Sequence, residues 1–295
     1  MDRAIMAACI QLSAGPYSSP LEFMEHLDEL FRQACHQGAE LIALPSYRGL
    51  AVEQWLDILR DLAGKHKVFI AGASVTVPTP HGPLNTAYLL SPDGALIGWQ
   101  GQTHRNVAER ALGYARDNDL RVFTTPLGRI GFVVGSDAWY PEVSRILALK
   151  GAEILVAPMA VEKPYLEWDQ VRGMWQEVQQ NQVFALESCL VGRIGSIEFE
   201  GRSTIYATCE MTLDESGILS RVSDTFSESI LVAELSPEAL KKTIQKFNIF
   251  DQMNLDLYKR YFPGIYHRSA WPDPQAFVQD RSDSRSTGGD GAKWG

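Results

Sequence analysis

Residues 128 to 142 read Gly-Arg-Ile-Gly-Phe-Val-Val-Gly-Ser-Asp-Ala-Trp-Tyr-Pro-Glu. The apolar run, the turn residues and the proline at a first helical position predict a buried strand, a sharp turn and a helix. A turn of this kind is where an acyl-transfer enzyme would place its nucleophile. The residue at its tip is Gly135, which has no side chain. Ser136 carries a hydroxyl, but in an extended strand a shift of one residue turns a side chain to the other face, and no base is evident beside it. His104 and Glu109 are of types that exchange protons in hydrolysis, although a solvated pair or a helix cap accounts for them as simply. Arg193 and Arg202 could hold a carboxylate, and a loop ion pair is the commoner fate of such residues. The six His and the acidic residues show no metal-ligand spacing, so no metal or cofactor is expected.

The elements that must position these residues come in two copies. Gly38-Ala39-Glu40-Leu41-Ile42-Ala43-Leu44-Pro45 recurs as Gly151-Ala152-Glu153-Ile154-Leu155-Val156-Ala157-Pro158. A buried strand (about 5 to 11, about 129 to 135) and a helix precede each copy, and a helix, a strand and a Gly-turned hairpin follow it. The first helix, about 20 to 36, has Leu21, Met24, Leu27, Leu30, Phe31 and Ala34 on one stripe, with Ser19 and Glu22 as a capping box and Gly38 as its stop. Further helices are expected at about 51 to 64 and at about 167 to 180, the latter with Trp168, Val171, Met174 and Val178 facing inward. Hairpins are read at 84 to 100 and 203 to 222. Continuous apolar strands need cover on both faces. An α/β fold with two sheets face to face and helices outside, a four-layer α-β-β-α sandwich of two pseudo-symmetric halves, meets that need. The expected domain is 1–267. The polar segment 268–295 is read as a disordered tail, or as one that docks on a neighbouring subunit through Trp271, Phe277 or Trp294.

The chain has 295 residues, 45% of them hydrophobic, which is ample for a core without disulfides. A net charge of -9 and the lack of a Lys/Arg run argue against nucleic acid as a partner. Cys9, Cys35, Cys189 and Cys209 have no Cys-x-x-Cys spacing and read as small core residues, in keeping with a reducing cytoplasmic location. No apolar run reaches the roughly 18 residues of a membrane span.

The motif at 128 to 142, the doubled Gly-Ala-Glu strand, Asn85, Pro92-Asp93-Gly94 and Gly201-Arg202-Ser203 resemble the nitrilase (carbon-nitrogen hydrolase) superfamily over about 4 to 262. Members cleave carbon-nitrogen bonds with a Cys, Lys and Glu triad. The resemblance puts Ser46 at the Glu position, Gln102 at the Lys position and Gly135 at the Cys position, with Glu109 nearest to a second, supporting Glu. It implies a pocket formed by Ser46, Gln102, His104, Glu109, Gly135, Ser136, Asp137, Trp139 and Met159, with no intact triad. The expectation drawn from it is a catalytically inactive homologue with a binding, regulatory or scaffolding role. The alternatives are a small-amide C-N hydrolase or amidotransferase acting by a displaced, non-Cys mechanism, and a partner subunit of an active relative. Homodimers or larger homo-oligomers, and a small-molecule ligand or protein partner, are implied by the same resemblance.

Overall fold

The computed structural model describes residues 1, 3–47 and 49–267. The predicted tail from 268, with its three aromatics, lies outside them. The chain divides into two units, Met1–Ile249 and Phe250–Gly295.

The first half of the larger unit runs β1 (Ile5–Ser13), α1 (Pro20–His36), β2 (Leu41–Leu44), α2 (Val52–His66), β3 (Phe69–Val77), β4 (Leu84–Leu90), β5 (Leu96–Gly101) and α3 (Val107–Ala111). The second runs β6 (Val122–Thr125), β7 (Gly128–Phe132), a 3-10 turn (Gly135–Trp139), α4 (Pro141–Leu149), β8 (Ile154–Met159), α5 (Glu167–Gln170), a π-turn (Val171–Trp175), α6 (Gln176–Asn181), β9 (Phe184–Ile194), β10 (Ile197–Phe199), β11 (Thr204–Tyr206), β12 (Ile218–Arg221), β13 (Ser229–Leu235) and α7 (Pro237–Lys246). In the smaller unit α8 (Leu255–Ile265) is amphipathic, with Leu255, Tyr261, Phe262 and Ile265 exposed.

Strand order is β5-β4-β3-β2-β1-β9-β8-β7-β6, so the repeated strands β2 and β8 each lie between parallel neighbours. Only Leu12–Leu190 and Ser13–Val191 join β1 to β9, a short seam between two half-sheets. Alternation along the strands then builds two cores. Ala7, Cys9, Leu41 and Ala43 meet Phe132, Val134, Ile154 and Val156 between the sheets, while Ala8, Ile10 and Ile42 pack against Phe23, Leu27, Trp55 and Leu59 of α1 and α2. This is the α-β-β-α sandwich expected from the doubled motif.

Ser19 Oγ accepts from the Glu22 backbone and Pro20 opens α1 as predicted, but the Glu22 carboxylate reaches the amide of Ser18 instead of Ser19. The helix expected at 167 to 180 is interrupted. At Gly173 the backbone leaves helical geometry (φ -91°, ψ -123°), and the wider turn shifts the register of the faces. Met174 and Val178 are buried as expected, but Trp168 and Val171 are 53% and 57% exposed.

Glu177, on the buried side of α6, is 2% exposed. Burial pushes its carboxyl up to about 7. In the unfolded chain a glutamate titrates at about 4.3, so its favourable contribution is full below that pH and is lost as pH rises through the folded value. Glu177→Gln is therefore expected to stabilise the fold by about 2–3 kcal/mol above pH ~8 and to change little below pH ~4. Urea unfolding at the two pH values reads this directly, and a variant less stable than the parent at high pH would contradict it.

Candidate active site

Five elements converge at the carboxyl ends of the parallel strands, where open α/β sheets collect ligands. Ser46 follows β2, and Met159 ends β8. In β3 the register slips between Gly72 and Val75, a bulge that turns Ser74 toward Ser46. Gly72 has φ +85°, and a Cβ there would lie 2.7 Å from the Leu44 carbonyl oxygen, so this position needs glycine. Trp55 of α2 fixes the bulge by donating from Nε1 to the Ala73 carbonyl at 2.7 Å. Gln102 follows β5 and is tied to β4 by its amide, which donates to Asn85 O at 2.8 Å. The 3-10 turn supplies Gly135, Ser136 and Trp139.

These segments enclose a cavity of about 380 Å³ lined by Ser46, Ser74, Asn85, Gln102, Glu109, Gly135, Ser136, Trp139, Met159 and, at its exposed edge, Glu162. Two of the residues picked from sequence lie elsewhere. Asp137 is fully buried behind the turn, where it accepts from the amides of Thr103 (2.9 Å) and His104 (2.7 Å) and from Thr103 Oγ1 (2.8 Å). The His104 ring, 3.1 Å from that carboxylate, stacks on Tyr140 at 3.7 Å. They lock the loop after Gln102 onto the turn. His104 therefore pairs with Asp137 and not with Glu109.

Ser136 was expected to face away from the position of Gly135. The segment is a 3-10 turn and not an extended strand, so strict alternation does not hold, and Ser136 lines the same cavity. Its Oγ donates to the His104 carbonyl at 2.7 Å and accepts from Gln102 Nε2 at 2.7 Å. Its proton therefore rests on a carbonyl oxygen and not on a base.

Gln102 is the hub. The two hydrogens of its Nε2 are shared among Ser136, His104 O (2.5 Å) and Glu109 Oε2 (2.8 Å), and its Oε1 accepts from Asn85 Nδ2 (2.8 Å). Gly135 has φ +56°, and a Cβ there would lie 3.2 Å from Gln102 Oε1. Glu109 is 6% exposed. Its Oε2 is held by Gln102 and by the Asn106 amide (2.9 Å), and its Oε1 by Asn85 Nδ2 (2.8 Å) alone, which leaves Oε1 with acceptor capacity. Asn106 Oδ1 accepts in return from the Glu109 amide at 2.8 Å, a capping box that orients the carboxylate from its own helix. Ser74, Asn85, Asn106 and Glu162 were not singled out as site residues from sequence. The Asn-x-x-Glu spacing of 106 to 109 was the signal available for one of them.

None of the four cysteines lines this cavity. Burial holds the Cys9 and Cys189 thiols well above the usual range. Cys189 borders a separate void of about 20 Å³ behind Trp139 and Met159, with Glu187, too small for more than a water. Cys35 and Cys209 are only half-buried, the latter in a 3-10 turn and not in the expected strand core.

The carbon-nitrogen hydrolase family pattern matches residues 6–245. Among curated relatives, N-carbamoylputrescine amidase of Arabidopsis thaliana is 30% identical over 59% of this chain and 62% of its own length. Citrullinase of Francisella tularensis is 24% identical over 86% of this chain and 96% of its own. A nitrilase of Pyrococcus abyssi is 26% identical over 79% and 91%. A carbon-nitrogen hydrolase from Helicobacter pylori superimposes with a TM-score of 0.74 at 22% identity, covering 88% of this chain and 98% of that one, and a Nesterenkonia amidase with 0.71 at 17%, covering 88% and 98%. These relatives are named as hydrolases, which overturns the expectation of a catalytically inactive protein. That expectation rested on three positions, and three positions do not exclude a reaction run by the other groups in the cavity. The match over 240 residues, on a fold with the same layers, places the chain in the carbon-nitrogen hydrolase family.

Proposed function

We propose that this chain hydrolyses a carbon-nitrogen bond of a small amide-type substrate by a displaced mechanism, with water as nucleophile and Glu109 as general base. In this reading Ser46, Gln102 and Gly135 stand at the triad positions of the family, and no thiol takes part. The observation that carries it is the Glu109 carboxylate, buried in the cavity wall with both oxygens aimed by fixed donors and Oε1 open to accept one more proton. A base must lie within hydrogen-bond reach of the proton it removes. A water on Oε1 meets that condition, whereas Ser136, bonded to a backbone carbonyl, does not.

As water attacks the substrate carbon, its proton passes to Glu109 Oε1. The same carboxylic acid then protonates the departing nitrogen, so the base is restored within one turnover. Asn85 and Gln102 keep the carboxylate from rotating, and Gly135 leaves the space a side chain would fill for the substrate.

The test is ammonia release from a panel of small amides, ureas and amidines, before and after alkylation with iodoacetamide. Saturable release that survives alkylation is expected. Release that disappears with thiol alkylation while the protein stays folded, or none from any of the panel, contradicts the proposal.

A further inference from the structure

We infer that the substrate brings its own positive charge to the reaction, as an amidinium or guanidinium whose N–H groups face Glu109; this rests on the hydrolase reading above and narrows its substrate class. Two independent observations lead here. The first is electrostatic. Glu109 is a buried carboxylate whose three partners, Asn85, Gln102 and the Asn106 amide, are all neutral, and no described Lys, Arg or His forms an ion pair with it. Buried charges are ordinarily paired with an opposite charge. Among the described residues the cavity lining has no Lys, Arg or His, and its other charged residue is a second carboxylate, Glu162. A cavity of this size whose described charges are both carboxylates favours a cation over a neutral molecule and repels an anion.

The second observation is chemical. Attack of water on a neutral amide builds negative charge on the carbonyl oxygen, and such sites ordinarily stabilise it with preorganised donors or a cation. The Gln102 amide has no spare hydrogen for this, because two N–H bonds already serve the His104 carbonyl, Glu109 and Ser136. An amidinium avoids the difficulty. When water adds to its carbon and gives one proton to Glu109, the new C–O bond takes an oxygen lone pair and the C–N π electrons return to nitrogen. The tetrahedral intermediate is then neutral. Glu109 next returns its proton to one amino group, the C–N bond breaks with its electron pair leaving on ammonia, and the protonated amide that remains gives up a proton to that ammonia. The balance is amidinium plus water to amide plus ammonium, with no oxidant, reductant or co-reactant. The positive charge of the substrate and the negative charge of Glu109 cancel in the intermediate and no oxyanion forms, which a site with no cation among its described residues can support.

Acetamidinium, acetamide and acetate have nearly the same size and separate charge from shape. Their binding is measured by calorimetry on the full chain and on Glu109→Gln and Glu162→Gln, with ammonia release measured in parallel. Acetamidinium should bind at least about tenfold more tightly than acetamide, and acetate should bind more weakly than either. The preference should vanish in Glu109→Gln, persist in Glu162→Gln, and weaken in the parent as salt rises from about 0.02 to 0.5 M. The salt series keeps the test decisive should Glu109→Gln fail to fold. Acetamide or acetate binding as tightly as acetamidinium overturns the inference, as does acetamidinium binding that ignores both salt and Glu109. Acetamide hydrolysis without acetamidinium binding removes the inference and leaves the hydrolase reading standing. Charge-selective acetamidinium binding with no ammonia released supports the cation site and counts against the hydrolase reading.

Discussion

Glu109→Gln lowers turnover by about 10² to 10⁴-fold while the protein remains folded, the range expected when a positioned general base is removed. Gln keeps the length of the side chain and suits the third helical position of a capping box, so the bond from the Asn106 amide survives and the helix start is preserved. What is lost is the ability of Oε1 to take a proton from water. The loss should therefore fall on kcat, with a smaller change in KM for a neutral substrate. Ser136→Ala is the control, because it removes the neighbouring hydroxyl and keeps the carboxylate. Its turnover should stay within about tenfold of the parent. The reverse pattern, with Ser136→Ala inactive and Glu109→Gln active, would move the nucleophile to the protein and end the water mechanism.

Trp55→Ala costs about 3–5 kcal/mol of stability, the usual range for truncating a fully buried aromatic. Trp55 is 0% exposed and stacks within 5.5 Å of Tyr47 and 5.9 Å of Phe23. Its Nε1 also holds the Ala73 carbonyl in the β3 bulge, where Ala73 has φ +46°, a region non-glycine residues seldom adopt. Removal would leave a void, an unpaired buried carbonyl and a bulge without its brace. For a unit of this size the melting temperature should fall by about 10 °C. Because the bulge presents Ser74 to the cavity, ligand affinity should weaken together with stability. Thermal unfolding with and without ligand measures both, and a change below about 1 kcal/mol would show that the bulge does not depend on Trp55.

Much of this architecture could be read from the chain because its causes are local. Ser19, Pro20 and Gly38 set the ends of α1 by capping chemistry, and the repeated Gly-Ala-Glu strands announce two equivalent half-sheets. The π-turn at Gly173 was not legible, since an extra residue in a helical turn leaves the apolar spacing nearly unchanged while rotating Trp168 and Val171 to the surface. Ser136 was misplaced for a related reason: the strand β7 ends at Phe132, and the tight turn that follows cannot be told from extended backbone by composition. Glu109 was legible both as a helix cap and, through the resemblance, as a pocket residue, but the partners that aim its carboxylate were not: Asn85 and Gln102 reach it only because β4 and β5 bring them there. The resemblance alone set Ser46, Gln102 and Gly135 at the triad positions of the family, and the packing brings all three to the wall of one cavity together with Glu109.

The central claim, that water attacks the substrate with no protein nucleophile, is tested most directly by intact-mass spectrometry of the 32.8 kDa chain acid-quenched during steady turnover of an amidine or amide substrate. The account predicts the unmodified mass at every time point while product accumulates. A transient adduct of the substrate's acyl or amidino mass, mapped by digestion to Ser136 or to any of the four cysteines, would contradict it.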